Sequence, residues 1–298
     1  MTTGAARFAP HALLLLMIVI WGGSFVAAKS ALDSLAPFAI VAARFWIAVV
    51  CLLPFVLRRG AGTELRAVLR PGAVTGVALA IGYLLQFVGM NETSASMGGF
   101  LAGLIPLLVA LGGWLVFHSK LGRVGLIGLA LGIAGMLLLV WPAGDSSDGP
   151  RDTLRGMSLQ VASSIAYAVH ILLISRLGSR LPPMTYCFVQ LLVVALAATA
   201  ALAVDGRIGK AGSVDWTAML VVEVGYLGFI ATALGIAVQS TVQPKIPPMH
   251  LALLFATQPL FAAIAGWALL GDHMGAMQLG GGATIVAGII VTTLDRDP

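Results

Sequence analysis

The chain has 298 residues, 59% of them hydrophobic and only 10% charged. Soluble domains carry about 25% charged residues, so the composition excludes a protein dissolved in water. It also leaves no polar segment long enough for a second, soluble domain.

A helix needs about 20 apolar residues to cross a hydrocarbon core of about 30 Å. Ten such stretches are predicted, over 11–31, 37–57, 71–90, 94–117, 122–141, 154–175, 182–204, 215–241, 249–270 and 275–294. Helices are expected because lipid offers no partner to an open backbone. A run such as "HALLLLMIVI" also lacks the alternation of a barrel strand. The expected fold class is therefore an all-α integral membrane protein. The first stretch reads as a helix and not as a cleavable signal, since no small-residue cleavage site leads into a polar region.

In the first stretch Trp21 falls near mid-depth and is a candidate to line a cavity. Lys29 lies near its outer end and reads as a snorkelling side chain, or, less favoured, as one that attracts a substrate carboxylate. In the second, Arg44 sits in "ARFWIA" and reads as a structural anchor or interhelical partner more than as a ligand contact. Cys51 there, and Cys187 in the seventh stretch, read as small core residues. The third offers Tyr83 and Gln86, three apart and so on one face. Pro106 interrupts the fourth, where a proline removes a backbone donor and frees a carbonyl one turn back. Glycines 125, 128, 132 and 135 line the fifth and mark close helix packing or a homodimer face.

The sixth stretch reads "SLQVASSIAYAVH". Gln160, Ser163 or Ser164, Tyr167 and His170 recur on one face, which should turn inward because polar groups are costly against lipid. The stripe either walls a cavity or supplies interhelical hydrogen bonds. In the eighth, Trp216 reads as an interfacial anchor, and Glu223 and Tyr226 share a face. Glu223 is the one acid placed deep in a predicted helix, where burial would raise its pKa and poise it for proton exchange. It reads alternatively as an acid at a helix end or one paired with a base. In the ninth, Gln258 directly precedes Pro259.

With ten spans both termini share a side. Eleven of the 17 basic residues fall on that side and four on the other, with Lys29 and Arg44 inside helices. This is a positive-inside bias, which places both termini in the cytoplasm and explains the net charge of +5 without a nucleic-acid site. There is no His-Glu-x-x-His and no Walker lysine loop, so neither an enzyme, a metal, a cofactor nor ATP is expected.

"PLLVALGGW" at 106–114 returns as "PLFAAIAGW" at 259–267. Without a gap, 106–135 and 259–288 match at eleven of thirty positions. The expected organisation is one membrane domain over 1–298, with a five-helix repeat over 11–141 and a second over 154–294. Five is odd, so the second copy is inverted. Inverted repeats commonly build secondary transporters, and paired breaks such as Pro106 and Pro259 point to the binding region or hinge.

"NETSASMGGFLAGLIPLLVALGGWLVF" followed by "GLIGLALGIAGMLLL" resembles the ten-helix, EamA-like branch of the drug/metabolite transporter superfamily. "WGGSFVAAK" and "ARFWIA" look like that family's first two helices, and Gly271-Asp272-His273 like its Gly-Glu-Arg/Lys ending. Phe117-His118-Ser119-Lys120 lacks the acid in the first half. The resemblance implies an exporter of small metabolites in a bacterial inner membrane. Few mid-depth charges with several amides, hydroxyls and rings suit an amino acid. The alternatives are a multidrug exporter of organic cations, against which the lack of an acid in the first helix counts, and a non-transporting scaffold or receptor.

Overall fold

The computed structural model describes residues 4–57, 61–117, 122–140, 152–178, 181–205, 214–242, 254–255, 257–272 and 274–293. Among these the regular structure is entirely helical. In chain order it runs α1 (Gly4–Ala31), α2 (Pro37–Leu57), α3 (Ala61–Asn91), α4 (Ala95–Ala102), α5 (Ile105–Phe117) and α6 (Arg123–Val140). It continues α7 (Leu154–Leu177), α8 (Pro183–Val204), α9 (Ala218–Gly225), a π-helical stretch over Tyr226–Leu234, α10 (Gly235–Val242), α11 (Gln258–Leu270) and α12 (Ala276–Thr293).

Seven spans are long and apolar enough to cross a membrane, and three shorter apolar helices lie at Arg123–Gly135, Gln258–Leu270 and Leu279–Val291. Large apolar side chains such as Val50, Leu57, Leu154, Phe229 and Leu269 are exposed on the outside of the bundle. A lipid-facing surface accounts for that exposure. The chain is a multi-pass membrane protein.

Several predicted boundaries shift. α3 starts ten residues before the predicted 71, because Pro71 is accommodated inside the helix. The fourth predicted stretch is two helices, broken at Gly103 and Leu104, so Pro106 is the second residue of α5. Within the ninth, α11 starts at Gln258, with Pro259 in its first turn. Proline fits there because the first-turn N–H groups have no intrahelical partner anyway. Both prolines thus open helices; neither kinks one.

The pairing of spans has an internal order. α2 packs on α8, α6 on α12, and α4 on α11. α3 lies against α7 as α1 lies against α9, the π stretch and α10. α3 meets α8 as the π stretch meets α2, and α1 meets α11 as α7 meets α4 and α5. These pairings are unchanged when the two halves of the chain are exchanged.

The repeat explains one of these contacts in detail. A Cβ on Gly135 would stand 2.7 Å from the Gly281 carbonyl oxygen and 2.7 Å from the Ile285 nitrogen. A Cβ on Gly288 would stand 2.6 Å from the Gly128 oxygen and 2.7 Å from the Gly132 nitrogen. Gly135 and Gly288 are counterparts in the repeat, and each lets the other's helix approach backbone to backbone. Gly128, Gly132 and Gly135 are therefore used within the chain, against α12. Gly288→Val has no side-chain rotamer that clears the α6 backbone. It is expected to cost about 1–3 kcal/mol or more of stability, read as a lower melting temperature of the detergent-solubilised protein. A surface change such as Leu269→Val should leave the melting temperature unchanged.

Candidate functional site

The centre of the bundle holds a connected polar and aromatic group. Arg44 of α2 is 4% exposed. Its Nε donates to Thr232 Oγ1 of the π stretch at 2.5 Å, and its Nη2 to Tyr83 Oη of α3 at 3.4 Å. The guanidinium carbon lies 5.0 Å from the centre of the Tyr83 ring and 5.9 Å from that of Phe45. Tyr83 in turn meets Tyr167 of α7 edge to face, with centroids 5.3 Å apart. Tyr167 Oη donates to Gln86 Oε1 at 2.8 Å. Gly82 makes room for this ring, since a Cβ there would fall 2.7 Å from Tyr167 Cε1. Tyr83, Gln86 and Tyr167, predicted separately, are thus brought together.

The rest of the α7 stripe faces inward as expected, but its hydroxyls are spent on packing. Ser163 Oγ donates to its own helix at Gln160 O, 2.8 Å away. Ser164 Oγ reaches Leu101 O of α4 at 3.0 Å, and Gln160 Nε2 reaches Gln86 O at 3.2 Å. His170 Nδ1 lies 2.9 Å from Thr75 O, so that nitrogen carries the proton. Gln160, Ser164 and His170 thus bond to other helices, and Ser163 to its own.

A second group joins α1 to the π stretch. Trp21 Nε1 donates to Ala231 O at 2.7 Å and stacks on Phe255, with ring planes 9° apart. Gly235 leaves space for the indole, since a Cβ there would fall 2.8 Å from Nε1. Tyr226 Oη donates to Ile20 O at 2.6 Å. Thr232 Oγ1 donates to Leu227 O, five residues back, as the wider π turn allows. The bond from Arg44 to Thr232 links the two groups.

Glu223 of α9 is 5% exposed, and its Oε1 has no hydrogen-bond partner among the described residues. It stands in the second turn from the start of its span. Gln258 is half-buried at the start of α11. No described contact joins Glu223 or Gln258 to the Arg44 group.

The outer end of α4 is held from elsewhere in the chain. Ser94 N donates to Asp152 Oδ1 at 2.6 Å, and Ser96 N to Asp272 Oδ2 at 2.8 Å. Ser94 Oγ accepts from Met97 N at 3.1 Å. Asp272 follows Gly271, whose φ of 69° ends α11 in the left-handed region that favours glycine. Lys29 is no snorkelling residue: its Nζ donates to Met90 O, in the last turn of α3, at 2.9 Å. The corresponding first-half residues 118–120, and His273, lie outside the described residues.

A many-span helical bundle, paired across two halves around a central polar group, defines a multi-pass membrane protein of duplicated build. The family comparison makes it specific. The model of the EamA-like transporter family matches residues 9–141 and again 154–294, and the chain belongs to that family. It is 25% identical over 292 residues to an uncharacterized transporter of Archaeoglobus fulgidus, covering 98% of this chain and 88% of that one. It is 26% identical over 295 residues to a probable amino-acid metabolite efflux pump of Salmonella typhimurium, covering 94% and 93%. A solved crystal structure superposes with a TM-score of 0.66 at 22% identity, over 95% of this chain and 96% of that one, which shows the shared fold.

The outer capping group yields a pH prediction. Burial pushes the Asp152 carboxyl above its usual range; the Ser94 hydrogen bonds oppose this, Asp272 adds to it, and Lys29 opposes it. A carboxyl with a raised folded-state pKa binds its proton more tightly when folded. Its ionisation therefore costs stability as pH rises through the raised value, and the cost vanishes as pH falls to the ordinary carboxylate range. Asp152→Asn keeps an acceptor for Ser94 N and cannot ionise. It should melt above the wild type at neutral pH, with the gap closing in acidic buffer. A loss at neutral pH would show that α4 needs the charge itself.

Proposed function

We propose that the protein is a secondary transporter that exports small polar metabolites, amino acids in particular, by alternating access between two inverted five-helix repeats. The observation that carries this reading is the polar and aromatic centre shared by both halves: Arg44, Tyr83 and Gln86 from the first, Tyr167 and Thr232 from the second. A site built from both halves is the arrangement that rocking of one against the other exposes to each side in turn. Amides, hydroxyls and rings with a single central charge suit a small zwitterion. Membership of a transporter family and the likeness to an amino-acid metabolite efflux pump support the same class.

In this reading Trp21, Tyr83, Gln86, Ser163, Tyr167, His170, Tyr226 and Gln258 bind substrate or hold its binders. Pro106 and Pro259 mark the helix junctions that move. Ten spans cross a bacterial inner membrane, and both termini lie in the cytoplasm, as the basic residues indicate.

Efflux of labelled amino acids from preloaded liposomes tests the reading, each of the twenty taken in turn. At least one should leave faster than from empty-vesicle controls. Tyr167→Ala should slow it at least tenfold at matched protein level, and Gln258→Ala should slow it too. Absence of flux for all twenty would defeat amino-acid export. Unchanged flux in both variants would remove these residues from the site.

Glu223 supplies the coupling hypothesis. A carboxylate without a partner among the described residues, inside a span, is costly as an anion and is a natural proton carrier. Glu223→Gln keeps the shape and removes titration. It should flatten the pH-gradient dependence of flux while substrate exchange at equilibrium persists. Joint loss of both activities would mean a structural role, and wild-type flux indifferent to an imposed pH gradient would end proton coupling.

A further inference from the structure

Arg44 is a buried cation. Among the described residues no carboxylate pairs with it, and its two hydrogen bonds go to neutral hydroxyls. Its charge is nonetheless 96% buried inside the bundle, on the 4% exposure found for the residue. An ion taken out of water loses several kcal/mol of solvation after relaxation. A ring face returns about 0.5–2 kcal/mol, and neutral hydrogen bonds return only part of the rest. The group is left with a net need for negative charge.

The neighbours are arranged to receive an anion and not to supply one. Arg44 Nη1 has no acceptor among the described residues. Tyr83 Oη accepts from Arg44 Nη2, so its own proton remains available to donate. Gln86 uses both oxygens, Oε1 toward Tyr167 and the backbone O toward Gln160, and its side-chain nitrogen has no acceptor among the described residues. Tyr83 and Gln86 share one face of α3, one turn apart. The inventory is therefore three donors beside a cation. A carboxylate offers two oxygens with about four lone-pair positions and one negative charge. A guanidinium matches its planar fork. A dianion would exceed the single charge available.

We infer that Arg44 is the anion-binding residue of the transport site, and that the group it receives is the monoanionic carboxylate of the solute, with Tyr83 and Gln86 as supporting donors. The inference deepens the export reading and rests on it for the direction of transport. An anchor holding α2 to the π stretch would leave Arg44 structurally useful but would not explain the unspent donors or the lack of a carboxylate partner among the described residues.

The test uses the purified full-length protein in detergent and in liposomes. Thermal stabilisation is measured with the twenty amino acids, with their amides and methyl esters, and with simple organic acids such as lactate and acetate. Carboxylates should protect the wild type, and the amides and esters, which lack the carboxylate charge, should bind about thirtyfold more weakly or worse. Arg44→Gln should lose protection by the same carboxylates, and Arg44→Lys should keep part of it. The amide comparison is made on the wild type, so it stands even if Arg44→Gln does not fold. Equal protection by acid and amide, undiminished protection of folded Arg44→Gln, or no protection of the wild type by any carboxylate would each overturn the inference. Amino-acid flux that persists in Arg44→Gln sinks Arg44 and leaves export standing. Absent amino-acid flux, with organic-acid protection lost in Arg44→Gln, sinks amino-acid export and leaves Arg44 standing.

Discussion

Inside a lipid-embedded bundle a buried polar group must find its partner in the bundle, because the surrounding solvent has none to give. That constraint organises the interior. Trp21, Lys29, Gln160, Ser164, His170 and Tyr226 each donate to, or share a proton with, a backbone carbonyl on another helix or stretch. Carbonyls already bonded within a helix keep a second lone pair, so these ties cost the helices little. They stitch α1 to the π stretch, α1 to α3, α3 to α7, and α7 to α4. Arg44 meets only neutral hydroxyls and Glu223 Oε1 has no partner among the described residues, and no described contact joins the two. Thr232, which Arg44 contacts, is nine residues beyond Glu223, or about 13 Å along the axis at an ordinary helical rise.

The π stretch follows from the same constraint. A π turn bonds five residues back, so it widens the helix and shifts the register of its side chains. Thr232 can then satisfy its hydroxyl proton on Leu227 O while its oxygen accepts from Arg44. Trp21 enters where Gly235 leaves space, and Ile47 packs where Gly228 leaves space. The glycines at 225, 228 and 235 thus bracket a widened segment on which α1 and α2 converge.

Much of this was legible in the sequence. Apolar length gave the spans, and the repeated "GW" segments gave the duplication. The spacing of Gly128, Gly132 and Gly135 gave a close-packed face. The resemblance to the EamA-like family rested on residues that the structure now connects: the acid after Gly271 caps the Ser-Ala-Ser start of α4. Helix breaks were harder to place, because a proline permits a kink and a helix start alike, and neighbouring packing decides between them. That Arg44 is an interhelical partner was legible; which groups it meets was not. A lone arginine in a span acquires meaning only from what surrounds it, and its surroundings come from α3 and the π stretch, 39 and 188 residues away in sequence. The α7 stripe shows the converse. Its inward face was readable, but only coordinates reveal that Ser163 and Ser164 spend their protons on backbone carbonyls.

Alternating access would place different demands on the different contacts. The α6–α12 pair meets backbone to backbone through Gly135 and Gly288, a fit that tolerates little sliding. It suits a unit that moves as one. α4 and α11 also touch closely, with the space at Gly103 taken by Pro259, so the two helix junctions bear on each other. At the outer end, by contrast, α4 is tied to the segment before α7 through Asp152 and to the α11–α12 turn through Asp272. Such hydrogen bonds contribute about 0.5–1.5 kcal/mol each, and up to about 3 kcal/mol where a charged group takes part. That is within reach of the binding energy of a small solute, whereas reopening a glycine-packed interface is not. In the proposed cycle the polar ties at the start of α4 are the contacts to break and remake, and the glycine interface is the one carried intact.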